Sequence, residues 1–278
     1  MNSDFYIPVK VTENVIVNCK ELKNKDYFNI LKYSQNQDYK NLSIFFENYL
    51  KTNIESQDQY TKLNFIDKAI ILLTVRSICI SPEITIESKK LNKIVKKINL
   101  QKIIDSLIEV NFKNSIKLDN NTQLNLDIPK KLNFFSFDEI LEDSISSITE
   151  NNKETFLSNK EIKEITSLLP GSLFFEIKSF TTHLEEYLNN IILIEEDKNF
   201  DLKGINCSIL NNTLFNFLLS VFSDSLLNFY QLIYIFNSKL NTSKTDFDNL
   251  TPAESNLILN LYIQEQEEIE KASKKQPT

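Results

Sequence analysis

LNFIDKAIILLTVRSICISPEITI, residues 63–86, decides the fold. Phe65, Ala69, Leu72, Leu73, Arg76 and Ile80 recur three or four residues apart, which is the helical period. Ser81-Pro82 then stops the run, because proline lacks the N–H that would continue the ladder. A helix from Asn64 to Ile80 with so little polar surface can be stable only at the centre of a bundle. Past the stop, Ile84 to Glu87 alternates apolar with polar, the period of a strand. The chain is therefore read as α+β and mainly helical, built around this helix.

Toward the amino terminus, Tyr6, Val9 and Val11 are followed by Val15, Ile16 and Val17, with Glu13-Asn14 between. That pattern predicts a β-hairpin over Phe5 to Cys19. The period then becomes helical, with Tyr27, Ile30 and Leu31 in one helix and Leu42, Phe45, Phe46, Tyr49 and Leu50 in a second.

Toward the carboxyl terminus, short alternating stretches at Ile84 to Glu87, Ile94 to Ile98, Val110 to Leu118 and Leu124 to Ile128 predict one small antiparallel sheet, interrupted by a helix over Leu100 to Ile108. Asn120-Asn121 is its expected tight turn, since Asn tolerates positive φ. A helix is expected from Phe137 to Asn151, with Ser136 as N-cap and Glu139 completing a capping box. Thr149 to Asn159 is polar and reads as a linker.

The rest reads as helical: Asn159 to Leu168, Pro170 to Asn189 with Pro170 opening the helix, and Thr213 to Leu240. Ile191 to Ile194 and Phe200 to Ile209 form a candidate hairpin. The last helix opens at Thr251-Pro252-Ala253-Glu254, where an N-cap, a first-turn proline and a glutamate at the third position coincide. Its distal half is acidic and expected to project, and Ala272 to Thr278 to fray. Three parts result: a hairpin with helices over 1–82, a small β-rich insertion over 83–133, and a helical part over 134–278 that packs with 20–82 as one body.

Composition narrows the function. A formal charge of -7 argues against a dedicated nucleic-acid binder, since phosphate contacts need a basic surface. The Lys89-Lys90 and Lys93 to Lys97 runs read as a solvated strand face rather than a DNA-binding patch. Cys19, Cys79 and Cys207 are odd in number and widely spaced, as buried free thiols are in a reducing compartment. Met1 to Lys10 lacks the pattern of a signal peptide, and the apolar run Leu214 to Phe236 carries too many polar residues for a membrane span.

The residues for catalysis are sparse. His183 stands alone in a helix, where a histidine is usually structural. The two glycines, Gly171 and Gly204, form no phosphate-cradling loop, and no cysteine or histidine has a companion at ligand spacing. The acidic clusters Glu185-Glu186, Glu195 to Asp197 and Glu265 to Glu270 read as solvated faces rather than a calcium loop. No catalytic, cofactor-binding or metal residue is expected, and no paired carboxylates single out a hydrolase.

Apolar surface stands out instead. Between Leu214 and Phe236 the apolar residues, Phe217, Phe222, Phe229, Tyr230 and Tyr234 among them, cover more of a helix than the stripe of about 100° that a surface helix buries. These residues, with Arg76, the only arginine, are candidates for core or interface, with the core favoured for the helix.

The order of these features resembles the baseplate hub assembly proteins of T-even-type bacteriophages. The similarity is carried by YIPVKVTENVIVNCKELKNKDYFNILK (6–32), by residues 63–86, by QLNLDIPKK (123–131), and by LLNFYQLIYIF (226–236) and LTPAESNLILNLYIQEQEE (250–268). Relatives with a cysteine pair after the SICIS region suggest a metal knuckle; Ile86 to Ile98 has none, and no metal is implied here. The resemblance implies a non-catalytic assembly factor or structural subunit of a contractile-tail baseplate hub. It would contact other hub and tail proteins, or further copies of itself, in the infected cytoplasm or in the finished virion. A host-directed or regulatory adaptor, or a hub-associated hydrolase, is the alternative.

Overall fold

A computed structural model describes residues 5–36, 38–87, 95–110, 112–132, 137–192, 221–222 and 225–274. The architecture is mainly helical α+β, with an amino-terminal hairpin, small antiparallel sheets and a helical carboxyl-terminal half.

Strands β1 (Tyr6–Thr12) and β2 (Val15–Lys20) form the hairpin, pairing Ile7 with Cys19 and Val9 with Val17. Alternation sends Ile7, Val9, Val11, Val17 and Cys19 into the core. Helices α1 (Asn24–Gln35), α2 (Tyr39–Asn53) and the short α3 (Gln57–Tyr60) follow.

Helix α4 (Phe65–Cys79) is the central element, its apolar residues buried on nearly every side. Its start is fixed by a capping box that the reading of residues 63–86 did not contain. Asn64 Oδ1 accepts from the Ile66 and Asp67 amides at 2.8 and 2.9 Å, and Asp67 Oδ2 accepts from the Asn64 amide at 3.0 Å. Burial pushes the Asp67 carboxyl up to about 6, with nearby Asp127 adding to the rise. Its folded value lies above its ordinary value of 3.8, so the folded state holds the proton more tightly. Stability therefore falls as pH rises from about 4 to about 6 and is level above, a loss of at most about 3 kcal/mol. Asp67→Asn keeps an accepting oxygen and flattens that slope, which urea unfolding at a series of pH values reads directly.

The expected single sheet is two sheets. β3 (Glu83–Glu87) pairs only with β4 (Val95–Asn99). Helix α5 (Leu100–Ile108) turns Leu100, Ile103, Ile104 and Leu107 into the main core beside α4. A second sheet, in the order β5 (Asn114–Lys117), β6 (Thr122–Leu126), β7 (Ile145–Glu150) and β8 (Lys153–Phe156), crosses residue 133. The strand expected over Val110 to Leu118 is thus only its last part.

Two expectations fail at β7 and β8. The helix predicted to reach Asn151 is α6 (Phe137–Ser144) and ends where Ile145 to Glu150, with the β-branched Ile145, Ile148 and Thr149, pairs with β6. Ser136 lies outside the described residues. The polar segment read as a linker is β8 and the turn before it, in which Asn151 and Asn152 have φ of 50° and 66°. Two left-handed residues in succession make the tight turn whose twist suits a hairpin. Asn120 and Asn121, expected to use positive φ, do not; Asp119 closes that turn by accepting from the Asn121 and Thr122 amides at 2.8 Å each.

Ile116, Leu124, Leu126 and Ile145 build a smaller core with Leu141 of α6, Ile162 of α7 (Asn159–Leu168), and Ile177 and Phe180 of α8 (Gly171–Ile192). Pro170 sits just ahead of α8, its carbonyl accepting from the Phe174 amide at 3.3 Å. Of the hairpin expected at 191–209, Ile191 and Ile192 belong to α8 and the rest lies outside the described residues.

The helix predicted from Thr213 to Leu240 is not continuous. Ser225 is extended, with φ -70° and ψ 114°, and its side chain accepts from the Asn228 amide, so α9 (Leu226–Ser238) starts afresh there. α10 (Lys244–Asn249) and α11 (Pro252–Lys274) complete the chain. At the start of α11 Thr251 and Glu254 form the expected capping box, at 2.7 and 3.2 Å. The distal half of α11 lies in solvent and is helical through Ala272 to Lys274, where fraying was expected.

Asn24, fully buried, joins the two ends of the chain. Its amide nitrogen donates to the Phe247 carbonyl at 2.9 Å and to Ser255 Oγ at 2.6 Å, and its backbone N–H donates to the Leu250 carbonyl at 2.8 Å. Asn24→Ala leaves buried partners without a donor and lowers unfolding free energy by about 2 kcal/mol, measurable by urea denaturation.

Candidate functional site

Helix α9 is apolar around most of its circumference, yet only one face is covered. Phe229, Leu232 and Phe236, spaced i, i+3, i+7, point into the core, whereas Leu227, Tyr230 and Tyr234, with the same spacing, face solvent at 67, 48 and 65% exposure. α11 repeats the pattern in its first turns: Ser255 is buried, while Leu257 and Leu261 are exposed. Between the two helices runs a cleft of about 570 Å³, walled by Phe229, Leu232 and Ile235 on one side and Pro252, Asn256 and Leu259 on the other.

The cleft is floored by Arg76. Only 3% exposed, this guanidinium donates from Nε to the Val221 carbonyl at 2.9 Å and from Nη1 to the carbonyls of Ser81 and Glu83, the latter at 3.3 Å. It ties the end of α4 to the start of β3 and to the segment preceding α9. A planar fork of donors fits such divergent carbonyls better than a lysine ammonium would.

The candidate residues therefore divide. Arg76, Phe222 and Phe229 are buried, Tyr230 and Tyr234 are surface, and Phe217 lies outside the described residues. Phe222 packs on Phe46 with ring centroids 5.4 Å apart, and Tyr230 edges against Phe28 at 5.5 Å. His183 is exposed on α8. Cys19 and Cys79 are buried free thiols pushed up to about 12 chiefly by burial, which keeps them protonated and unreactive; Cys207 lies outside the described residues.

One partly buried charge pair was not legible in the sequence. Lys68 Nζ, on α4, meets Glu47 Oε2 at 2.8 Å and Oε1 at 3.0 Å, and Glu47 also accepts from Tyr60 Oη and from the Leu132 amide, both at 2.8 Å. With Lys68 buried and Glu47 partly so, this network fastens α2 to α4. Among the described residues no group of three or more His, Cys, Asp or Glu could hold a metal ion, and no helix is long and apolar enough to cross a membrane. No family model, curated protein or solved structure matches the chain.

Proposed function

We propose that this chain acts by protein–protein contact, as an assembly factor or structural subunit of a contractile-tail baseplate hub, with other hub and tail proteins as its partners. The role in the hub rests on the sequence resemblance. The binding mode is carried by one observation: Leu227, Tyr230 and Tyr234 of α9, spaced i, i+3, i+7, stand in solvent as one apolar stripe. Apolar groups gathered this way lose contact with water when a partner covers them, and tyrosines serve well because the ring is buried while the hydroxyl stays bonded.

The test is co-purification with the late tail proteins. Leu227→Glu combined with Tyr234→Asp replaces two exposed side chains, so circular dichroism and thermal unfolding stay close to those of the parent. Association with the hub proteins falls by about a hundredfold, the scale for losing two aromatic or aliphatic anchors. A folded double variant that still joins the assembly would refute the reading. Assaying finished particles for the chain then separates a retained subunit from a factor that leaves.

A further inference from the structure

We infer that the free edge of β8 is a self-association site, taking the β8 of a second copy in an antiparallel pair about a twofold axis at Thr155. This stands apart from the proposed hub role, since it uses a different surface.

Among the described residues β8 ends its sheet, whereas β5 at the other edge has α8 packed against it. All four residues of β8 are exposed, Phe156 at 77%. The two-residue turn at Asn151-Asn152 fixes which backbone groups are spent. Glu150 opposes Lys153, Ile148 opposes Thr155, and the Leu157 amide reaches the Ser146 carbonyl at 3.4 Å. In an antiparallel ladder bonded pairs alternate with unbonded ones. Lys153, Thr155 and Leu157 therefore point their N–H and C=O at β7, and Glu154 and Phe156 turn theirs outward, to the edge.

Registers with a second β8 are few, because the two copies must present the same sheet face and so can slide only in steps of two residues. Centring on Glu154 sets carboxylate against carboxylate, and centring on Lys153 sets ammonium against ammonium. Centring on Phe156 directs Glu154 at Ser158, whose N–H and C=O are already bonded to Glu161 and Ile162. Centring on Thr155 opposes Glu154 to Phe156 of the other copy and the reverse. Every outward N–H and C=O is then matched in four new hydrogen bonds, with no like charges directly opposed. The Glu154 carboxylate is already drawn back over its own sheet by Ser147 Oγ at 2.5 Å, which leaves room for the opposing ring. An identical edge satisfies its own requirements, so the fitting occupant is a second copy.

Sedimentation of the full chain across a concentration series is expected to show a reversible monomer–dimer equilibrium. Phe156→Pro removes an N–H that bonds nothing within the sheet, a place where an edge strand tolerates proline, and should weaken dimerisation about tenfold or more. Thr155→Cys puts two thiols at an unbonded pair across the axis, close enough to bridge, and mild oxidation should join the copies covalently. Lys153→Cys, facing Leu157 of the other copy, should not cross-link. Monomer at every concentration, or a dimer in which Thr155→Cys gives no more cross-link than Lys153→Cys, overturns the inference. A foreign strand occupying this edge in isolated complexes overturns it too.

Discussion

Phe229→Asp is expected to abolish the cooperative unfolding transition, leaving a chain with reduced helical ellipticity and no defined melting point. Phe229 stacks on Phe28 at 5.5 Å and meets Tyr27 and Phe247 edge-on at 5.8 and 5.7 Å, so one ring joins α1, α9 and α10. Truncating a buried phenylalanine costs about 3 to 5 kcal/mol through lost transfer energy and the cavity left behind. A carboxylate in the same place adds the cost of a buried charge with no partner, and the sum reaches the whole stability of an ordinary domain, about 5 to 15 kcal/mol. Tyr234→Asp, on the opposite face of the same helix, is expected to stay within about 0.5 kcal/mol of the parent. Equal behaviour of the two variants in urea unfolding would show that the division of α9 into a covered and an open face is wrong.

Arg76→Met should cost about 3 to 5 kcal/mol, read as a lowered urea midpoint. Methionine fills much of the same volume but donates nothing, and the carbonyls of Val221, Ser81 and Glu83 lose the donor that draws them together. The loss is also one of arrangement: Ser81 and Glu83 lie just past α4 and Val221 lies 145 residues from Arg76, and the guanidinium is what the two stretches share. Arg76→Lys, which keeps the charge but offers a point of donors in place of a planar fork, should recover only part of the difference. A methionine variant within about 1 kcal/mol of the parent would show that Arg76 merely fills space.

Where a signal is contained in a few neighbouring residues, the sequence could be read. Thr251 and Glu254 lie three apart and cap α11 as expected, and the spacing of Phe65, Ala69, Leu72, Leu73 and Arg76 marks the buried axis of the fold. Reading failed where two local rules compete. The run from Leu214 to Phe236 looks like one helix because its residues are apolar, but a serine that caps a new helix at 225 wins over that continuity. Asn151-Asn152 looks like a linker because it is polar, and only the two left-handed backbones reveal a hairpin. The features invisible in advance join distant residues. Glu47 and Lys68 are 21 positions apart, and nothing near either one names the other. The open face of α9 belongs with these, since Leu227 and Phe229 are both apolar and only the packing of α1 and α10 decides which of them is covered.

Asn24 sets a timetable. Its side-chain partners lie 223 and 231 residues further along, so a ribosome delivers the first helix long before the groups that lock it. At ordinary elongation speeds the wait is roughly 10 to 50 seconds. Throughout it the surface of α1 that later receives Phe229 and Phe247 stands open to whatever else is dissolved nearby. Nascent chains stalled before residue 247 should consequently bind chaperones that the released protein ignores.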